Sequence, residues 1–226
     1  MKSKIGKLST KTLVLGAILT ALVVILQFLG AFIRFGPFSI SLVLIPIVIG
    51  AATCGTGIST WLGFVFGVVV LLSGDAAAFM VVDVGGTIAT VLIKGTAAGF
   101  LAGLSYRAAH VLLNRFSAYR IQKESKRHGW KGCCERAVCE YVSAKNQYIA
   151  VLAAAIVCPV INTGVFLLGC RLFFMDTVAE WASAAGFGAS VGQYMILGLV
   201  GANFLFEMAS NLILSPVVVR IVNYRK

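Results

Sequence analysis

Residues 39–73 read SISLVLIPIVIGAATCGTGISTWLGFVFGVVVLLS, 35 positions without a charge. A bilayer core accepts about 20 residues of helix, so this run is too long for a single crossing. CGTG (54–57) is where it divides, because its glycines permit a tight turn. Two spans joined by a turn, rather than one long helix, fix the parity of the topology that follows.

Working outward, the same reading predicts helices at about 13–33, 39–53, 57–73, 85–106, 148–170 and 191–220. Of 226 residues, 59% are hydrophobic and 12% charged, with mean hydropathy +0.95; soluble proteins carry about 25% charged residues. The apolar runs are continuous rather than alternating, which indicates helices and not a barrel. The expectation is an all-α membrane protein, a single six-helix transmembrane domain over residues 1–226. A cleavable signal peptide fits poorly, since the run Leu13–Ile33 is too long for an h-region and lacks a small-x-small exit site.

Charge distribution orients the spans. Residues 1–12 hold four Lys/Arg, residues 107–147 nine and residues 220–226 three, together 16 of 19. Six spans with both termini cytoplasmic put every basic cluster on one side, as the positive-inside rule requires. The net charge of +11 thus belongs to topology, and no nucleic-acid partner is expected. Residues 107–147 read as a basic cytoplasmic loop. Arg115, Arg120, Lys123, Lys126 and Arg127 there either meet anionic lipid or a partner, or serve only as an anchor.

Polar groups within the spans fall in one layer. Lys94 lies thirteen residues before Arg107, and Glu207 thirteen before Arg220, so both sit ~20 Å above the basic boundary. Counting from Tyr148 and Lys11 places Asn162 and Gln27 ~21–24 Å up by the same rise. Asn203, Glu207 and Asn211 follow i, i+4, i+8 spacing and share a helix face. A charge at the bilayer centre costs at least ~2.5–3.5 kcal/mol on insertion scales. Lys94 and Glu207 are therefore expected to face inward, either as a structural ion pair or as part of a polar pocket. Arg34, Phe35 and Phe38, Asp75 and Phe79, and Trp181 lie in the loops above this layer and are candidate lids. The aromatic residues among them also suit interfacial anchoring.

The sequence contains no G-x-x-x-x-G-K-[ST] and no H-E-x-x-H. Its two histidines, His110 and His128, lie in 107–147, so no Ser/His/Asp set forms at membrane depth. No catalytic residue, cofactor or metal is expected, and any ATP hydrolysis falls to a partner. HGWKGCCERAVC (128–139) holds one His and three Cys, but adjacent Cys133 and Cys134 lack the usual zinc spacing; reduced thiols are the alternative. Ala17-x-x-x-Ala21 and Gly63-x-x-x-Gly67 are small-residue pairs that let helices approach closely.

LGAILTALVVILQFLG (15–30), the block FSISLVLIPIVIGAATCGTGISTWLGFVFGVVVLLSGDAAAF (38–79), CPVINTGVFLLG (158–169) and NFLFEMASNLILSP (203–216) resemble the substrate-binding S component of an energy-coupling factor (ECF) vitamin transporter. The basic segment 107–147 is longer than that pattern, and its cysteines do not belong to it. The resemblance implies six helices with cytoplasmic ends in a bacterial plasma membrane. It implies a vitamin held in the outer half by helices 4–6 and the loops above, where Gln27, Arg34, Asp75, Phe79, Lys94, Asn162, Asn203 and Glu207 fall. It also implies docking through an alanine motif matched by Ala17 and Ala21. The partners would be a transmembrane T component and two ATP-hydrolysing A subunits, with release of the ligand by toppling in the membrane. A pantothenate-, folate- or riboflavin-like ligand is implied. An anionic one would set its carboxylate against Lys94 or Arg34, whereas a Lys94 neutralised by Glu207 suits a neutral or zwitterionic one equally. A stand-alone ion-coupled carrier and a non-transporting scaffold are the competing readings.

Overall fold

The computed structural model describes residues 9–32, 34–35, 38–39, 42–128, 133–188 and 190–224. Helix α1 spans Thr10–Phe32. Its inward stripe is Leu19, Val23 and Gln27, all buried at i, i+4, i+8, while Leu13, Val14, Ile18, Leu22, Ile25 and Leu29 face outward. Strands β1 (Arg34–Phe35) and β2 (Phe38–Ser39) then pair antiparallel, Arg34 opposite Ser39 and Phe35 opposite Phe38.

Helix α2 is Leu44–Thr53 and α3 is Thr56–Leu72. The split predicted at CGTG is present, with Gly55 at φ 88°, a left-handed conformation that glycine adopts without strain. The second helix, however, starts five residues later than the predicted 39–53. Its ten residues rise only ~15 Å, about half the hydrocarbon thickness. Hydropathy does not distinguish extended from helical backbone, and Ser39, the first residue of this run, belongs to β2. Pro46 is tolerated because it sits in the first turn, where its missing N–H has no intrahelical role. The short helix is surrounded by α1, α3 and the helices over Val84–His128, Cys133–Phe173 and Ala202–Tyr224, and protein rather than lipid covers most of it.

The longest elements are α5 (Val84–His128) and α6 (Cys133–Phe173), the most extensively packed pair. They correct the reading of 107–147 as a loop, since both helices continue through most of it. From Ser105 to His128 the chain has no Gly or Pro and many helix formers, so the charge that marks the end of the span does not end the helix. Forty-five residues of α5 reach ~67 Å, beyond the ~45 Å of a bilayer with its headgroups. Asn146 ties the extension together, donating to Asn114 Oδ1 at 3.0 Å and Ser117 Oγ at 2.9 Å.

Short helices α4 (Ala77–Met80) and α7 (Met175–Ala184) cap one end of the bundle. The last apolar segment begins as α8 (Val191–Gln193), widens into a π-helical stretch at Tyr194–Gly201, and continues as α9 (Ala202–Tyr224). Four helical segments among the described residues are long and apolar enough to cross a membrane: Thr10–Ala31, Val84–Glu124, Val138–Phe173 and Val191–Asn223.

Packing of α3 on α5 is set by glycine. A methyl group built on Gly63 would collide with the Gly95 carbonyl, one on Gly95 with the Gly63 carbonyl, and one on Gly99 with Ser59. Backbone thus meets backbone along this seam, the close approach that small residues permit. The core divides into two clusters. One, centred on Leu44, Ile47, Leu62, Phe66, Val91 and Val151, draws on α1, α2, α3, α5, α6 and α9. The other, around Phe79, Phe174, Val178 and Leu199, gathers α4, α7 and the π-helical stretch.

Candidate functional site

A cavity of about 80 Å³ lies where the two clusters meet, lined from both sides. Gln27, Asp75, Phe79, Lys94, Asn162, Asn203 and Glu207 all line it. Each arrives on the inward face of its element. Gln27 extends the Leu19–Val23 stripe of α1, and Glu207 heads the buried row Glu207, Asn211, Ser215 and Val218 on α9. The backbone of Arg34 is in β1, but its side chain lies outside the described residues, as do those of Phe35 and Phe38.

The charged groups do not pair as a Lys94–Glu207 bridge. Among the described residues the Lys94 ammonium makes no hydrogen bond or ion pair; it sits 5.1 Å from the Phe166 ring centroid and 5.7 Å from that of Phe66. Such cation–π contacts are worth ~0.5–2 kcal/mol and leave all three N–H donors unused. Glu207, 1% exposed, is held by two amides instead. Asn203 Nδ2 donates to Oε1 at 3.2 Å, and Asn162 Nδ2 to Oε2 at 3.4 Å. Asp75 accepts from Gln27 Nε2, which also reaches Ser73 Oγ at 3.4 Å.

Three buried polar atoms on the lining have no partner among the described residues: Thr90 Oγ1, Asn162 Oδ1 and Asn203 Oδ1. Buried polar groups are nearly always satisfied, so three exceptions on one cavity call for an explanation. Aromatic walls close the cavity. Phe79 packs edge-on against Phe166, Phe174 and Trp181 with centroids 5.6, 5.0 and 5.3 Å away. Trp181 is therefore part of this cluster and not only an interfacial residue. Small-molecule pockets usually offer ~300–1,000 Å³, so the walls stand contracted, with room for a few waters.

Sequence reasoning missed Thr87, Thr90, Phe66, Phe166, Phe174 and Leu199, all on the lining. Helical spacing could have found two of them, since Thr90 precedes Lys94 by one turn and Phe166 follows Asn162 by one turn. Ala17 and Ala21 lie on the outer face of α1, exposed, and do not pack internally. Gly63 and Gly67 do pack internally, against α5. Cys139 is exposed, whereas the side chains of His128, Cys133 and Cys134 lie outside the described residues.

The model of the family described as "ECF transporter, substrate-specific component" matches residues 11–219. The chain belongs to that family. No curated protein and no solved structure matches it. As an S component, the chain is a substrate-binding subunit of a transporter rather than an enzyme, and a multi-pass membrane protein. The family implies, in general, a small-molecule substrate and T and A subunit partners. The cavity is the place on this S component where charged, amide and aromatic side chains converge.

Proposed function

We propose that this S component captures a water-soluble vitamin or related micronutrient, of the pantothenate, folate or riboflavin kind, in the cavity between the two core clusters. The observation that carries the reading is the convergence of Gln27, Asp75, Lys94, Asn162, Asn203 and Glu207 on one cavity within apolar helices. Ionisable groups in such a place are costly and are kept for function. The Lys94 ammonium, which has no ion-pair partner among the described residues, argues against a scaffold in which the ion would serve only to pin α5 to α9.

In this reading six segments cross a bacterial plasma membrane with both termini in the cytoplasm, α3 and the apolar segment 39–53, of which α2 forms only a part, completing the count. The α5–α6 extension then projects into the cytoplasm. A T component docks on the exposed Ala17–Ala21 face of α1, and two A subunits hydrolyse ATP. Toppling of the S component carries the ligand inward. Filling the contracted cavity moves the aromatic cap on Phe79. The test is uptake of labelled pantothenate, riboflavin and folate by cells that express the chain with and without T and A subunits. Uptake of at least one that requires those subunits supports the reading; uptake by the chain alone, coupled to an ion gradient, sinks it.

A further inference from the structure

The site's amides are not free to choose which end they present. Glu207 is buried, and both of its carboxyl oxygens serve as acceptors. The asparagines beside it turn their NH₂ groups toward those oxygens, at 3.2 and 3.4 Å. Their carbonyl oxygens are then directed elsewhere, and both are buried without a donor among the described residues. Thr90 Oγ1 is a third unsatisfied oxygen on the same lining. Lys94, one turn from Thr90 on α5, lines the same cavity, and its three N–H donors have no acceptor among the described residues.

We infer that Glu207 is a positioning residue that locks Asn162 and Asn203 in one amide orientation, making that wall a reader of hydrogen-bond donors. The ligand presents at least two N–H or O–H groups to the α6/α9 side and a carbonyl or carboxylate oxygen to Lys94. This assignment rests on the substrate-binding reading of the cavity and adds its polarity. It also gives Glu207 a role other than counter-ion to Lys94 or to a cationic ligand.

A double-mutant cycle tests it. Glutamine in place of Glu207 offers one acceptor and one NH₂, so it can hold one asparagine in the native orientation but not both. Binding of pantothenate, riboflavin and folate is measured by calorimetry on the full-length protein in detergent, for wild type, E207Q, N203L and the double variant. Thermal midpoints report folding for each. For whichever probe binds, E207Q should weaken affinity at least tenfold. In the N203L background the same change should cost less than twofold, because the glutamine oxygen then serves Asn162 alone. Equal losses in both backgrounds would show that Glu207 meets the ligand itself, and no loss in either would show that the lock is irrelevant; each overturns the assignment. All three probes carry suitable donors and an acceptor. A folded wild type that binds none of them refutes the vitamin reading and this polarity together, whereas a failure confined to the variants refutes only the lock.

Discussion

Asn211 donates its side-chain amide to the backbone carbonyl of Ala155, 3.4 Å away on another helix. The reason lies four residues further along α6. Pro159 has no N–H, so the carbonyl at position 155 lacks its helical donor. Pro216 creates the same vacancy at Leu212, and there Ser215 Oγ fills it locally at 2.8 Å. A proline inside a membrane helix is tolerated where a neighbour satisfies the freed carbonyl. Asn211 thereby ties α9, which carries Glu207, to α6, which carries Asn162.

Replacing Asn211 by leucine strands that carbonyl and should lower stability by about 1–2 kcal/mol. P159A restores the missing N–H, so the double variant P159A/N211L should recover most of the loss. Thermal midpoints in detergent read both. A double variant no more stable than N211L would show that the bond across the helices is not what matters.

The α3–α5 seam gives a second prediction. Gly63→Ala drives a methyl group into the backbone of Gly95, whereas Gly57→Ala meets nothing within 4 Å. Backbone cannot yield as a side chain can, so G63A should cost about 1–3 kcal/mol as an overpacked contact. G57A should be neutral or slightly stabilising through better helix propensity. Comparable midpoints for the two variants would mean that the helices separate at no cost.

Much of the bundle was legible because two physical rules are strong in a bilayer: apolar length defines the long helices, and residue rise gives depth. Counting from Arg107 and Arg220 places Lys94 and Glu207 at one height, and both line the cavity. Depth says nothing about azimuth, however. The contact of Lys94 with Phe66 and Phe166, in place of Glu207, depends on how the helices are rotated. Charge marks where a helix leaves the membrane and not where it stops, so charge alone does not reveal that α5 continues beyond Arg107. The π-helical turn at Tyr194–Gly201 has no sequence signature, yet it brings Leu199 and Val200 onto the cavity.

Lys94→Met removes the ammonium and keeps most of the aliphatic stem against the two phenylalanine rings. Affinity for whichever of pantothenate, riboflavin or folate binds should fall at least tenfold, about 1.4 kcal/mol. Stability should hold or rise, because no ion pair among the described residues is broken. Breaking a buried pair would instead cost about 3–5 kcal/mol. Calorimetry and a thermal melt on one preparation separate the cases. Unchanged affinity with a large fall in midpoint would return Lys94 to a structural role.

Ala17 and Ala21 are exposed one turn apart, flanked by exposed Val14, Ile18 and Ile25. Larger side chains around two small ones leave a shallow track along which a second helix can approach closely. Both positions are exposed, so A17W and A21W should leave ligand affinity and thermal midpoint unchanged. If the track seats the T component, both variants should abolish its co-purification and reduce uptake at least tenfold. Wild-type uptake in the double variant would move docking to another face, whereas a fall in midpoint would mean that the track packs within the chain.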